Sequence, residues 1–126
     1  MKHLLDTNVL LAALISTHPH HAKAFAWLAG RHIVLCPTTE LGFLRIGCHK
    51  KAYALPLPGL RQTLSRFASQ RKADWIADDL PALDSKTARN AEDITDHYLA
   101  ELAVKHGLKL ATFDRRIRHA AVEIIA

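Results

Sequence analysis

The sequence predicts an α/β domain: a central, mainly parallel β-sheet flanked by helices. Three observations carry that expectation. Short apolar runs, several of them β-branched, alternate with longer stretches whose apolar residues recur at helical spacing. Such alternation is the pattern of parallel strands joined by crossover helices. Acids also stand at the ends of the strand-like runs and in the first turns of helices, and in an open α/β sheet these positions gather at the edge where sites form.

His3 to Leu5 reads as a buried strand with Asp6 at its carboxyl end, after which Thr7 and Asn8 can cap a helix carrying Val9, Leu10, Leu11, Ala13 and Leu14. His18-Pro19-His20-His21 interrupts, and Ala22 to Ala29 resumes a helix that Gly30 closes in the left-handed C′ position. His32 to Cys36 is a second strand stopped by Pro37, with Thr38 or Thr39 capping a helix to about Lys50 whose first turn holds Glu40. Ala54 to Gly59, with two prolines, reads as a connector. Leu60, Leu64 and Phe67 then mark a helix face, and Asp74 to Ala77 a short strand.

Leu83 to Ala91 reads as a polar helix. Asp93 to His106 is a helix with the stripe Ile94, Tyr98, Leu99, Leu102 and Ala103, stopped by Gly107. Lys109 to Phe113 is a strand ended by Asp114, Arg115 to Ala120 a short helix, and Val122 to Ile125 the last strand.

Composition narrows the class. With 126 residues, 49% hydrophobic and 23% charged, the chain can supply a real core, which excludes a disordered segment and fits one domain over residues 1–126. A formal charge of +5 suits a polyanionic partner but would also serve solubility. Cys36 and Cys48 form neither a close pair nor a metal knuckle, so they read as small buried apolar residues in a reducing compartment. No apolar run approaches the roughly 18 residues of a membrane span, which points to a soluble, cytoplasmic protein.

The chemistry rests on four dispersed acids, Asp6, Glu40, Asp96 and Asp114. Oxygen ligands without cysteine or paired histidine suit Mg²⁺ or Mn²⁺, which bind through one or two carboxylates plus substrate phosphate. Simpler roles stand beside that one. Acids in a first helical turn favour the helix dipole, Asp93 and Asp96 could form a capping box, and Asp114 could cap the helix after it. Asp6 is the hardest to explain this way, because burial beside an apolar strand costs stability unless a cation or hydrogen-bond donors compensate. Asn8 and Thr112, each two positions from an acid, can support the site or cap turns. His18, His20 and His21 lack a partner cluster and read as exposed polar residues rather than a zinc site.

Taken together, Leu4-Leu5-Asp6-Thr7-Asn8-Val9-Leu10-Leu11, Thr39-Glu40-Leu41-Gly42-Phe43-Leu44-Arg45, Ile94-Thr95-Asp96-His97-Tyr98-Leu99-Ala100-Glu101-Leu102-Ala103 and Leu110-Ala111-Thr112-Phe113-Asp114 resemble the four motifs of the PIN-domain ribonucleases. Among these the chain is most similar to VapC-type toxins of type II toxin–antitoxin pairs. The resemblance implies a three-layer PIN-like fold and a Mg²⁺ or Mn²⁺ site built by Asp6, Glu40, Asp96 and Asp114, with Asn8 and Thr112 accessory. It further implies RNA hydrolysis by a metal-activated water leaving a 5′-phosphate, a VapB-type antitoxin that occupies the active-site groove, and a homodimer.

One departure matters: where many relatives carry a further acid two residues after the fourth-motif aspartate, this chain has Arg116, which leaves one or two ions open. Arg45, Arg115 and Arg116, with Lys50, Lys51 and Arg118, are candidate contacts to an RNA backbone, where charge gives affinity but little sequence choice. Two other functions fit the residues less well. A non-catalytic RNA- or partner-binding module would use the acids only for caps and ion pairs. An aspartyl-phosphate enzyme would use Asp6 as nucleophile, but its phosphatase form wants an acid where Asn8 stands.

Overall fold

A computed structural model describes all 126 residues. Ten elements follow one another: β1 (Lys2–Leu5), α1 (Thr7–Leu14), α2 (His21–Leu28), β2 (His32–Leu35), α3 (Pro37–Cys48), α4 (Leu57–Gln70), β3 (Asp74–Trp75), α5 (Ile94–Lys105), β4 (Lys109–Thr112) and β5 (Val122–Ile124). The strands form one sheet in the order β3-β2-β1-β4-β5, and all four pairings are parallel. The chain therefore starts at the centre, fills one side, and crosses through α5 to fill the other. That reversal puts the switch point between β1 and β4, the crevice where open α/β sheets place ligands.

The strands divide their side chains between two cores with the period of two that a pleated strand requires. Leu5, Ile33, Leu35 and Ala111 pack with α1 to α4 on one face. Leu4, Val34, Cys36 and Leu110 pack with Leu99, Leu102 and Ala103 of α5 on the other. This is the expected three-layer arrangement. A one-residue slip of β1 would exchange its leucines between the two faces, so burial pins the register. The same register, Leu5 beside Ala111, brings the next residues, Asp6 and Thr112, side by side.

Gly30 and Gly107 have φ of 72° and 69°, as helix-closing glycines should. Gly42 has a different task. A methyl group there would run into the Thr7 side chain, so the missing Cβ lets the start of α3 lie against the start of α1.

Several local expectations are corrected. Asp6, not Thr7 or Asn8, is the N-cap of α1, and Cys36, not Thr38 or Thr39, is that of α3. The Thr39 hydroxyl instead donates back to the Cys36 carbonyl at 3.1 Å. Helix α4 begins inside the expected connector, with Pro58 in its first turn, where a missing N–H breaks no helical bond. Residues 83–91 are not helical; single 3₁₀ turns flank a loop whose Ser85 and Thr87 hydroxyls and Lys86 N–H all donate to Glu101 of α5. Those bonds tie the loop to α5.

Residues 115–120 are likewise a turn. Its N–H groups at Arg116 and Ala121 are taken by the side chains of Asp114 and His119. Cys36 is buried, its thiol pushed up to about 11 chiefly by desolvation, while Cys48 is only half-buried; both are free thiols. No helix is long and apolar enough to cross a membrane.

Candidate active site

Asp6 leaves the end of β1 and caps α1. Its Oδ1 accepts from the Thr7 N–H at 2.7 Å and its Oδ2 from the Thr112 hydroxyl at 2.8 Å. Thr112, the last residue of β4, is fully buried, and its oxygen in turn accepts from the Asn8 amide at 2.9 Å and from the Asp114 N–H at 3.1 Å. Asn8 closes the network by accepting from the Phe113 N–H at 3.1 Å. The expected accessory pair thus ties α1 to the end of β4 around the Asp6 carboxyl.

All the donors to Asp6 are neutral, and the residue is only 6% exposed. Burial raises its pKa to about 6, the Thr112 and Thr7 bonds oppose the shift, and repulsion from Asp96 and Asp114 adds to it.

Asp96 lies in the first turn of α5, and burial, then the charge of Asp114, push it above the ordinary range. Asp93 precedes α5 but its side chain makes no capping bond, so the capping-box alternative is not formed. Asp114 moves the other way. Arg116 grips it with Nε to Oδ1 and a terminal nitrogen to Oδ2, both at 3.0 Å, and this hydrogen-bonded ion pair holds the carboxyl below its usual value. Asp96, Asp114, Arg116 and the acids Glu92 and Asp93 line a small cavity of about 70 Å³.

Glu40 is placed apart. It sits in the first turn of α3, where the Trp75 indole N–H at the end of β3 donates to its Oε1 at 3.0 Å. No three acidic, histidine or cysteine side chains converge closely enough in this arrangement to hold one ion. Three of the four expected acids, Asp6, Asp96 and Asp114, nonetheless act on one another electrostatically. The donor set fits a hard divalent cation on one observation: Asp6 and Asp96 both carry negative charge that burial makes costly and that no basic side chain grips.

Arg45 lies in the last turn of α3 and Arg115 just after Asp114, both exposed and neither bound to the acids. The histidine loop is occupied within the fold: His18 stacks on Tyr53, His20 on Phe113, and His21 bonds the Ala12 carbonyl. Sequence reasoning missed Trp75 as the partner of Glu40 and Glu101 as the anchor of loop 85–87. A tryptophan at a strand's carboxyl end, where the other polar groups gather, was the available signal for the first.

An open parallel sheet with carboxylates from β1, β4 and α5 around its switch point defines an acid-centred α/β domain suited to phosphate chemistry. The chain belongs to the PIN-domain family: the family's model, PIN domain, matches residues 3–123. Ribonuclease VapC44 of Mycobacterium tuberculosis is 34% identical over 97% of this chain and 92% of its own. Ribonuclease VapC38 of the same organism is 30% identical over 88% of this chain and 84% of its own. In fold, the chain is similar to a chain of the crystal structure of VapBC2 from Rickettsia felis bound to a DNA fragment from their promoter. That match has a TM-score of 0.64 at 17% identity and covers 98% of both chains.

Proposed function

We propose that the chain is the ribonuclease toxin of a VapBC-type pair: a Mg²⁺- or Mn²⁺-dependent endoribonuclease acting in the cytoplasm, held in check by a VapB-type antitoxin and forming a homodimer. The observation that carries the catalytic part is Asp6, whose pKa burial, with repulsion from Asp96 and Asp114, raises to about 6 and which only neutral donors meet. The similarity to proteins named VapC ribonucleases supports the choice of RNA as substrate.

In this reading Asp6, Asp96 and Asp114 would hold the cation, and Glu40 would join them by giving up Trp75. A bound divalent cation supplies an acidified water and offsets charge on the phosphate under attack. The chain's own groups do the positioning. Thr112 and Asn8 fix the Asp6 carboxyl, and Thr7 keeps its second oxygen in place. Arg116 can exchange Asp114 for a phosphate oxygen, a bond of the same charge-assisted kind.

A non-catalytic RNA- or partner-binding module is the second reading, favoured by the closed Asp114–Arg116 pair. Incubation of purified protein with a pool of small structured RNAs, in Mg²⁺, Mn²⁺ or chelator and beside Asp6→Asn, separates the two. Metal-dependent cuts that vanish in the variant are expected. Equal cutting by the variant would overturn the mechanism, and a folded protein that neither cuts nor binds Mn²⁺ by calorimetry would establish the second reading.

A further inference from the structure

We infer that the cleft beside the acids, between loop 87–90, the first turns of α5 and the turn at 116–119, is a phosphate subsite. It would take the RNA backbone phosphate next to the one being cleaved. The inference rests on the ribonuclease reading above and extends it from the four acids to Arg89, Arg118 and the two histidines beside them.

The cleft has a volume of about 530 Å³ and no hydrophobic residue in its lining, which includes Arg89, Asn90, His97, Arg116, Arg118 and His119. Pockets for small organic ligands are mostly apolar, so this one is built for a charged group. It shares Asp93 and Arg116 with the acid cavity, so the two are neighbours. Arg116 is already bound to Asp114, but no ion pair engages Arg89 or Arg118. Two arginines of the lining therefore have no carboxylate partner, and Asp93 is the only acid beside them in the cleft.

The histidines make it a built site rather than a basic patch. His97 is 8% exposed. Its Nδ1 lies 2.7 Å from the Thr87 hydroxyl, which donates its own proton to Glu101 at 3.1 Å. Thr87 therefore accepts from His97 and Nδ1 carries the proton, which fixes the ring; with only a lone pair at Nε2, the neutral His97 shapes the cleft and seats its neighbour, and is not itself a donor to phosphate. Ser85 donates to the same Glu101 oxygen at 2.6 Å, and these bonds outweigh desolvation to hold Glu101 below its ordinary range.

His119 packs edge-on against His97 with ring centroids 5.7 Å apart. Its Nδ1 accepts from the Ala121 N–H at 3.0 Å, so its proton lies on Nε2, a donor. Two free guanidinium groups and an imidazole N–H, on a rim anchored by Glu101, match the acceptor oxygens of a phosphodiester.

The test is binding without cleavage. A fluorescein-labelled oligouridylate is titrated in EDTA over a range of NaCl, using the parent, the double variant Arg89→Ala/Arg118→Ala, and Arg61→Ala on the exposed side of α4 as control. The double variant should bind about tenfold more weakly, and its log affinity against log salt should flatten by about 0.7 for each arginine lost. The control should match the parent. Inorganic phosphate should shift the His97 and His119 ring signals in the NMR spectrum of the parent and not of the double variant.

Unchanged affinity and slope in the double variant would overturn the subsite. If the parent never cuts RNA but the affinity and slope fall as expected, the subsite stands and the ribonuclease reading fails. Efficient cutting with binding unaffected by the double substitution would have the opposite meaning.

Discussion

Asp6 and Asp114 follow adjacent parallel strands, yet their carboxyls are driven in opposite directions. Asp6 is buried among neutral donors and acids, so its charge is unbalanced and its pKa rises to about 6. Asp114 is held by a guanidinium that is 88% exposed, and its pKa falls. The difference is one of charge balance: at the β1 end no basic side chain meets the carboxylate, whereas at the β4 end Arg116 already does.

The largest expected effect comes from removing the unbalanced charge. Asp6→Asn should lower RNA cleavage by at least about a hundredfold while leaving the circular dichroism spectrum of the parent. In chelator it should also make the protein more stable. The folded pKa of about 6 exceeds the ordinary 3.8, so the ionised carboxylate costs up to about 3 kcal/mol above pH 6. That cost is relieved as pH falls from about 6 to about 4, where the folded and then the unfolded chain bind the proton. Thermal melts at pH 7 and pH 4 check the sign: the variant's advantage should be present at the first and fade at the second. An equal difference at both would break the comparison.

Thr112→Val tests the neutral donors that oppose the shift. The substitution keeps the shape, removes the hydroxyl that donates to Asp6, and strips Asn8 and the Asp114 N–H of their acceptor. A loss of about 1–3 kcal/mol in a denaturant melt is expected, together with a still higher Asp6 pKa in a carbon-detected NMR titration. An unmoved Asp6 pKa would mean that burial alone sets it.

The same contrast explains what the sequence made legible. Leu4, Leu5, Val34, Leu110 and Ala111 reveal their strands because a strand buried on both faces is a short continuous apolar run. Asp6, Asn8 and Thr112 were readable as a group because parallel register brings strand ends together whatever lies between them. Residues 83–91 and 115–120 were misread as helices. Side chains hold them instead: Ser85, Lys86 and Thr87 donate to the distant Glu101, and the Arg116 N–H to Asp114, and propensity carries no record of such partners. The pairings of Glu40 with Trp75 and of Asp114 with Arg116 are rotamer choices made at the surface of the finished fold. A list of acids in the right order cannot show which of them is already engaged.

The smallest expected effect belongs to Arg116. Because its side chain is so exposed, Arg116→Gln should change stability by no more than about 1 kcal/mol. Its consequence should appear in ligand affinity. With the guanidinium gone, Asp114 returns upward toward the ordinary carboxylate range but no longer has to be released before it can meet a cation. Calorimetric titration with Mn²⁺ should therefore show severalfold tighter binding than in the parent, most visibly at low salt, where the ion pair is least screened. Tighter metal binding accompanied by weaker RNA binding would identify Arg116 as a residue shared between Asp114 and substrate phosphate. Unchanged Mn²⁺ affinity would mean that Asp114 lies outside the cation's reach, leaving Asp6 and Asp96 to hold it.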